Sequence, residues 1–330
     1  MRLAIDAMGG DFGPSVIVPA VTEVLRSHSG INAVLFGHQE TLESTVPSDL
    51  HSRVQIKAAQ PLNPDTCDGK QVLLRGRNSS LFKSVQAVAE DSADAVVSAG
   101  STAAMMVAGL RLLGTINGIH RPAICKVFQS KRGNTYLLDL GANAECTPRN
   151  LFEFGQLASL LAKLQHNLPR PTVALLSNGT EPSKGTRTLR EAARLLSNAE
   201  QFEYIGFLEP DSLFDATADV VVCDGFVGNV ALKAAESAAR TVIGEMKNAI
   251  ADVGDPILKE QLRARYSQFA PAQHNGAFFL GLNGVIIKSH GGSDVKGTVN
   301  SLLSACDLIQ HNWLAKHKHT FRTNSIEAED

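Results

Sequence analysis

Short aliphatic runs alternate along this chain with polar turns and with stretches whose apolar residues recur at helical spacing. Leu3 to Asp6, Ala33 to Gly37, Ala95 to Gly100, Tyr136 to Gly141, Val173 to Ser177 and Val220 to Gly225 are β-branched or aliphatic, and each runs into turn residues and then a helical pattern. Strands alternating with helices of about 10–15 residues predict βαβ units and a largely parallel sheet covered on both faces.

Two of these units are alike. Ala93 to Gly100 (ADAVVSAG) lines up with Ala218 to Gly225 (ADVVVCDG), and each leads into small residues and a helical run. Either two segments converge on good strand-to-turn chemistry, or the fold has two related halves. Ala239 to Phe269 reads differently: it is helical and charged, and it breaks at Gly254-Asp255-Pro256. That predicts a helix–turn–helix excursion from the sheet, serving packing or a partner surface. From about Thr320 the tail is polar and expected to fray.

Composition narrows the picture. The 330 residues suit one large α/β unit or two intimately joined halves. A chain 44% hydrophobic but only 5% aromatic has the aliphatic, Ala- and Gly-rich core usual in soluble enzymes. A formal net charge of −2 offers no basic stripe for nucleic acid. The start, MRLAIDAMGGDFGP, has neither signal-peptide nor transit-peptide character, and no apolar run approaches the roughly 20 residues that span a bilayer, so a cytoplasmic protein is expected. Cys67, Cys125, Cys146, Cys223 and Cys306 are dispersed without a C-x-x-C pair, which favours reduced thiols over disulfides or a zinc site.

Ligands of open α/β sheets bind where strands end and helix N-termini present unpaired N–H groups. The run VVCDGFVGNVALK, Val221 to Lys233, ends a strand in Asp224, Gly225, Gly228 and Asn229 and turns at once into a helix. Its glycines permit close approach to a ligand, and Asn229 either caps the helix or holds a ligand oxygen. Similar chemistry recurs at Met8-Gly9-Gly10-Asp11-Phe12-Gly13-Pro14, Ser98-Ala99-Gly100-Ser101-Thr102, Leu140-Gly141-Ala142-Asn143 and Ser177-Asn178-Gly179. Cations stand near these turns: Lys184, and Lys288 with His290 around Ser289. Arg75 and Arg77 precede a possible helix start and suit a phosphate or an acidic partner, or simply a solvated surface. The segment Ser183-Lys184-Gly185-Thr186 is not a P-loop, and the chain has no G-x-G-x-x-G opening its first βα unit, no H-E-x-x-H and no G-x-S-x-G. Nicotinamide binding, zinc hydrolysis and serine hydrolysis lose ground.

Taken together, IDAMGGDFGP (Ile5 to Pro14), Ser98-Ala99-Gly100, LDLGAN (Leu138 to Asn143), VCDGFVGN (Val222 to Asn229) and VIIKSHG (Val285 to Gly291) resemble the phosphate acyltransferase (PlsX) family of bacterial phospholipid synthesis. The matches run in order over nearly the whole chain. The resemblance implies transfer of a long-chain acyl group from acyl carrier protein, or less well from coenzyme A, to inorganic phosphate. The acyl phosphate product would feed a membrane glycerol-phosphate acyltransferase. It implies a three-layer α/β/α sandwich around a mixed sheet, like phosphate acetyltransferases and the isocitrate/isopropylmalate dehydrogenases, in a single catalytic domain spanning residues 1–330. It also implies a homodimer and no metal or organic cofactor.

By the resemblance the family lysine falls on Lys184 and the asparagine of D-G-F-x-G-N on Asn229, both as stabilisers of an oxyanion or of phosphate. Asp6, Gly9, Gly10, Asp11, Ser98, Gly100 and Ser101 would shape the cleft, with Asn143, Asp224, Gly225, Gly228, Lys288 and His290 binding substrate or phosphate. Acyl carrier proteins are acidic, which makes Arg75 and Arg77 the candidate docking site. This chain departs from the family at Gly100-Ser101-Thr102-Ala103-Ala104, where G-N-T-G-A is common, and at Thr180-Glu181-Pro182-Ser183, where the acidic run ahead of Lys184 is reduced. Its excursion is shorter and less apolar than in relatives thought to touch membrane there, so peripheral membrane contact stays open.

Two other readings stand beside this one. A β-decarboxylating dehydrogenase on the same sheet would need clustered aspartates around a divalent metal, but Asp219 and Asp224 bracket a strand and sit ~16 Å apart when extended. An acyl-carrier or phosphate-binding scaffold without turnover would fit if the changes at Ser101 and Ala103 had emptied the site.

Overall fold

The computed structural model describes residues 1–62, 69–130, 133–251, 253–267 and 275–326. In chain order the elements are β1 (Arg2–Asp6), α1 (Pro14–Ser27), β2 (Asn32–Gly37), α2 (Gln39–Thr45), β3 (Val54–Ala58), α3 (Gly69–Arg75), α4 (Ser80–Ala89), β4 (Ala95–Ser98) and α5 (Thr102–Leu112). These are followed by β5 (Ala123–Ser130), β6 (Gly133–Leu138), α6 (Pro148–His166), β7 (Thr172–Leu176), α7 (Arg187–Ser197), β8 (Glu203–Leu208), β9 (Val220–Val222) and α8 (Gly225–Ala251). The chain closes with α9 (Pro256–Ser267), β10 (Ala277–Leu280), β11 (Val285–Lys288), α10 (Val295–Gln310) and α11 (Trp313–Ile326).

The eleven strands among the described residues join one sheet in the order β3-β2-β1-β4-β11-β10-β5-β6-β9-β7-β8. The five strands from β3 to β11 are mutually parallel, and so are the four from β6 to β8. Between them β10 is antiparallel to β11 and to β5, and β5 is antiparallel to β6. The two parallel halves therefore run in opposite directions and meet at β10 and β5. The sheet is mixed, and the largely parallel pattern holds only within each half.

Both faces are buried, and the period of two along each strand decides which residue goes where. Leu3, Ile5, Leu35 and Val97 belong to one continuous core with Val21 of α1, Leu157 of α6 and Leu302 of α10. Ala4, Val34, Phe36 and Val96 pack on the other face with Leu81 and Val85 of α4 and Met105 of α5. Helices on both sides of one sheet make the three-layer α/β/α sandwich.

The six strand runs read from the sequence all form strands, and three of them stop short of their glycines: β4 ends at Ser98, β6 at Leu138 and β9 at Val222. Gly225 is the first residue of α8. The two similar segments give β4 with α5 and β9 with α8, one in each half of the sheet. The excursion begins well ahead of Ala239, because α8 runs unbroken for 27 residues from Gly225. Its break falls where predicted: Asp255 Oδ1 accepts from the Ile257 and Leu258 N–H groups at 2.8 and 3.3 Å, and Pro256 opens α9. The tail expected to fray from Thr320 is helical to Ile326. Cys67, Asp252, Phe269 and the end of the tail lie outside the described residues. The thiols of Cys125, Cys146, Cys223 and Cys306 are free.

Candidate active site

One wall of the site grows from the ends of β1, β4 and β11. Asp6 closes β1 and is buried; its carboxylate accepts from Ser98 Oγ at 2.7 Å and from the Met8 N–H at 3.3 Å. Burial pushes its pKa up, against the pull of those hydrogen bonds. The turns press onto this carboxyl: a Cβ at Gly9 would lie 2.6 Å from Asp6 Oδ2 and 2.9 Å from the Gly100 nitrogen. Gly100 N–H donates to Ser98 Oγ at 3.0 Å. Gly10, at φ 80°, sits against Ala99 and the Gly291 carbonyl, and Asp11 N–H donates to that carbonyl at 2.9 Å. Ser101 caps α5 by accepting from the Ala104 N–H at 3.4 Å. Asp6, Gly9, Gly10, Asp11, Ser98, Gly100 and Ser101 thus share one sheet edge.

The facing wall is built on Asp139, just past β6. Its carboxylate accepts from the Ile124 N–H at 3.0 Å, the Ala142 N–H at 3.0 Å, the Asn143 N–H at 2.7 Å and Asn143 Nδ2 at 2.9 Å. The Asn143 carbonyl in turn accepts from the Gly225 N–H at 2.8 Å, which seats the start of α8. Asp224 is the cap of that helix, its Oδ1 accepting from the Val227 N–H at 2.8 Å. Asn229 is therefore not the cap: it stands one turn inside α8, half-buried against Gly141.

Between the walls lies a cavity of about 220 Å³, floored by β5 and β10. Asn229, Lys288 and His290 line it, as do Lys126, Lys233 and Glu236, which the sequence reading did not select. Burial holds the Lys288 ammonium down to a pKa of about 8, partly offset by Asp6 and Asp11. Its Nζ donates to the Ala99 carbonyl at 3.4 Å and to the Ser289 carbonyl. The His290 backbone N–H donates to Asn275 Oδ1 at 2.9 Å, and its ring Nδ1 accepts from the Gly292 N–H at 3.1 Å, so Nε2 carries the proton. Burial lowers the pKa of the imidazole, with Lys288, Lys126 and Lys233 acting in the same direction and Glu236 against it. Those five groups thus share one electrostatic environment. Lys126 projects from β5, and nothing in the run AICKVFQS marks it as different from an outward lysine.

Lys184 is elsewhere. It sits exposed in the turn after β7, its N–H donating to the Glu181 carbonyl at 2.9 Å and its stem lying over Gly179. It shares the sheet edge of Asn229, because β7 and β9 are parallel neighbours, but it does not line the cavity. Arg75 and Arg77 are exposed at and just beyond the end of α3, ahead of α4 as expected, and line none of it.

Chemically, the cavity is a small, cationic, partly buried pocket suited to an anion of more than one charge. The thiols nearby are poor nucleophiles: burial pushes Cys223 well up and Cys146 to about 12. The two aspartates weighed and set aside as metal ligands are each engaged elsewhere. Asp219 Oδ2 accepts from the Thr172 N–H and Oγ1, both at 2.7 Å, and Asp224 caps α8. Among the described residues no three His, Cys, Asp or Glu side chains converge, and no helix is long and apolar enough to cross a membrane. A larger groove of about 740 Å³, between α6 and α11, contains none of these residues.

A family model described as "Fatty acid synthesis protein" matches residues 1–316. A phosphate acyltransferase of Saccharophagus degradans is 41% identical over 318 residues, covering 93% of this chain and 92% of its own. One of Halorhodospira halophila is 40% identical over 303 residues, covering 89% and 88%. Among solved structures, a phosphotransacetylase from Streptococcus pyogenes superposes with a TM-score of 0.63 at 17% identity, over 93% of this chain and 94% of that one. The EutD phosphotransacetylase from Staphylococcus aureus gives 0.60 at 17% identity, over 94% of each chain.

Proposed function

We propose, for a chain that belongs to the phosphate acyltransferase family of fatty acid synthesis proteins, that its reaction runs in the cavity between Asn229 and Lys288. The protein is an acyltransferase that transfers an acyl group to phosphate. The observation that carries the location is the convergence of Lys126, Lys233, Lys288, His290 and the Asn229 amide on one small cavity.

In the proposed mechanism Lys288 and His290 hold inorganic phosphate, which is already an oxyanion and needs placement more than deprotonation. A phosphate oxygen attacks the thioester carbonyl, and the charge that develops on the carbonyl oxygen is met by Asn229 Nδ2. The C–S bond then breaks, leaving acyl phosphate and a thiolate whose parent thiol titrates near ~8.5, so no strong general acid is needed. Lys184, on the same sheet edge as Asn229, is assigned the approaching thioester or its oxyanion. Asn143, Asp224, Gly225 and Gly228 hold the Asn229 turn in register. Asp6, Gly9, Gly10, Asp11, Ser98, Gly100 and Ser101 do the same for Lys288.

The acyl donor in this reading is a long-chain acyl carrier protein, docked through Arg75 and Arg77, and the catalytic unit is one domain in a homodimer. Exposed apolar side chains on α8 and α9, Val242 at 57% and Ile257 at 71%, support a partner or membrane face there. A cytoplasmic enzyme resting on the membrane would deliver acyl phosphate to a glycerol-phosphate acyltransferase.

The test is thiol release from palmitoyl-carrier protein with and without inorganic phosphate, in the native protein and in Lys184→Ala and Asn229→Ala. Phosphate-dependent release that is lost in the variants supports the assignment. No release from the native protein would move the binding-scaffold reading to the front.

A further inference from the structure

Lys126 and Glu236 make an ion pair of 2.9 Å between the floor strand β5 and the wall helix α8, with side chains only 11% and 15% exposed. The pair stands on the boundary between two cavities. Both residues, with Asn275 and His290, line the 220 Å³ cavity and also a neighbouring one of about 250 Å³. In the first, Lys126, Lys233 and Lys288 face Glu236, the one carboxylate among the described lining residues. An incoming phosphate meets that carboxylate as a like charge at short range between largely buried side chains, where repulsion is strong.

Glu236 has somewhere else to go. Arg240 follows it by four residues on α8, the spacing that brings side chains together on one helix face, and both line the second cavity. We propose that Glu236 is an internal latch: it occupies Lys126 when the phosphate site is empty and swings to Arg240 when phosphate arrives, handing the Lys126 ammonium to the anion. Lys126 joins Lys288 in holding the phosphate, and Glu236 and Arg240 are positioning residues that set its availability. A site empty of phosphate then keeps its buried ammonium paired, which avoids leaving an uncompensated charge out of water.

The inference rests on this cavity being the phosphate site, and the test separates the two. Inorganic phosphate is titrated calorimetrically into the full-length protein with no acyl donor present. Glu236→Gln is expected to bind phosphate about tenfold more tightly, Lys126→Gln and Lys126→Met about tenfold more weakly, and Arg240→Met several-fold more weakly. Arg240→Met added to Glu236→Gln is expected to change nothing further, since the carboxylate that Arg240 receives is gone. A general field effect of Arg240 would instead weaken binding equally in both backgrounds and overturn the latch. Native binding unchanged by Glu236→Gln and by both Lys126 variants, with unfolding transitions intact, also overturns it while leaving the phosphate reading standing. Absence of phosphate binding in both the native protein and Glu236→Gln would remove the phosphate site itself and the latch with it.

Discussion

Gly228 lies so close to Asp139 that a Cβ at position 228 would fall 1.9 Å from the Asp139 carbonyl oxygen. The first turn of α8 is thereby seated on the turn after β6, and Asn229, the next residue, inherits its position from that contact. Gly228→Ala must push the helix off the turn, and the obstacle is backbone, which does not rotate away. The expected cost is about 3 kcal/mol or more. Urea unfolding checks it, and a midpoint equal to the native one would mean the contact is looser than it stands.

Asp139 is the hub beneath that turn. With four donors converging on its carboxylate, Asp139→Asn replaces one acceptor oxygen by an amide that faces donors. A loss of about 2 kcal/mol is expected from the unsatisfied groups alone. The variant should unfold earlier in denaturant while Asp224→Asn, which keeps an accepting oxygen at the helix cap, stays within about 1 kcal/mol of native.

Lys288 supplies a pH dependence with a definite sign. Its folded pKa of about 8 lies below the 10.5 of an ordinary lysine, so between these values the unfolded chain binds more protons than the folded one. Its contribution to stability is therefore unfavourable below about pH 8 and is relieved as pH rises towards 10.5. Phosphate binding moves the opposite way, because the neutral amine no longer attracts the anion. Phosphate affinity should fall above about pH 8, and Lys288→Met should flatten that limb of the titration.

Asn229 is half-buried and outside the main core, so its loss should register in catalysis before stability. Asn229→Ala is expected to lower kcat about 10²–10³-fold, the usual effect of removing one oxyanion donor, with KM for phosphate little changed. A rise in KM at constant kcat would instead place the amide on phosphate in the ground state.

Carrier docking through an exposed cationic pair has its own signature. Arg75→Glu with Arg77→Glu should raise KM for acyl carrier protein several-fold, most at low salt, and leave the rate with acyl-coenzyme A unaltered. An unchanged carrier-dependent rate removes these two arginines as the dock.

Which parts were legible in the sequence follows from the range of each signal. Strand runs such as Val220–Val222 and Thr172–Leu176 are buried on both faces and read as unbroken apolar segments. The strands that escaped notice carry weaker patterns. β3 and β8 are edge strands with polar outer positions, and β5 has Lys126 near its centre. The glycine turns around Asp6, Gly9 and Gly10, and around Asp224, Gly225 and Gly228, were visible because close packing of backbone on a carboxyl or carbonyl demands residues without a Cβ.

By itself, then, the sequence determined the alternation of strands and helices, the two-sided burial of the sheet and the glycine-bearing turns, all set by neighbours a few residues apart. Only the tertiary structure decided that the two parallel halves run in opposite directions about β10 and β5, and that Lys126 and Glu236, 110 residues apart, meet in the cleft. It also placed Asn229 inside α8 and left Lys184 outside the cavity. Those outcomes depend on strand order and helix register across the whole sheet, which no local pattern of hydrophobic and polar residues specifies.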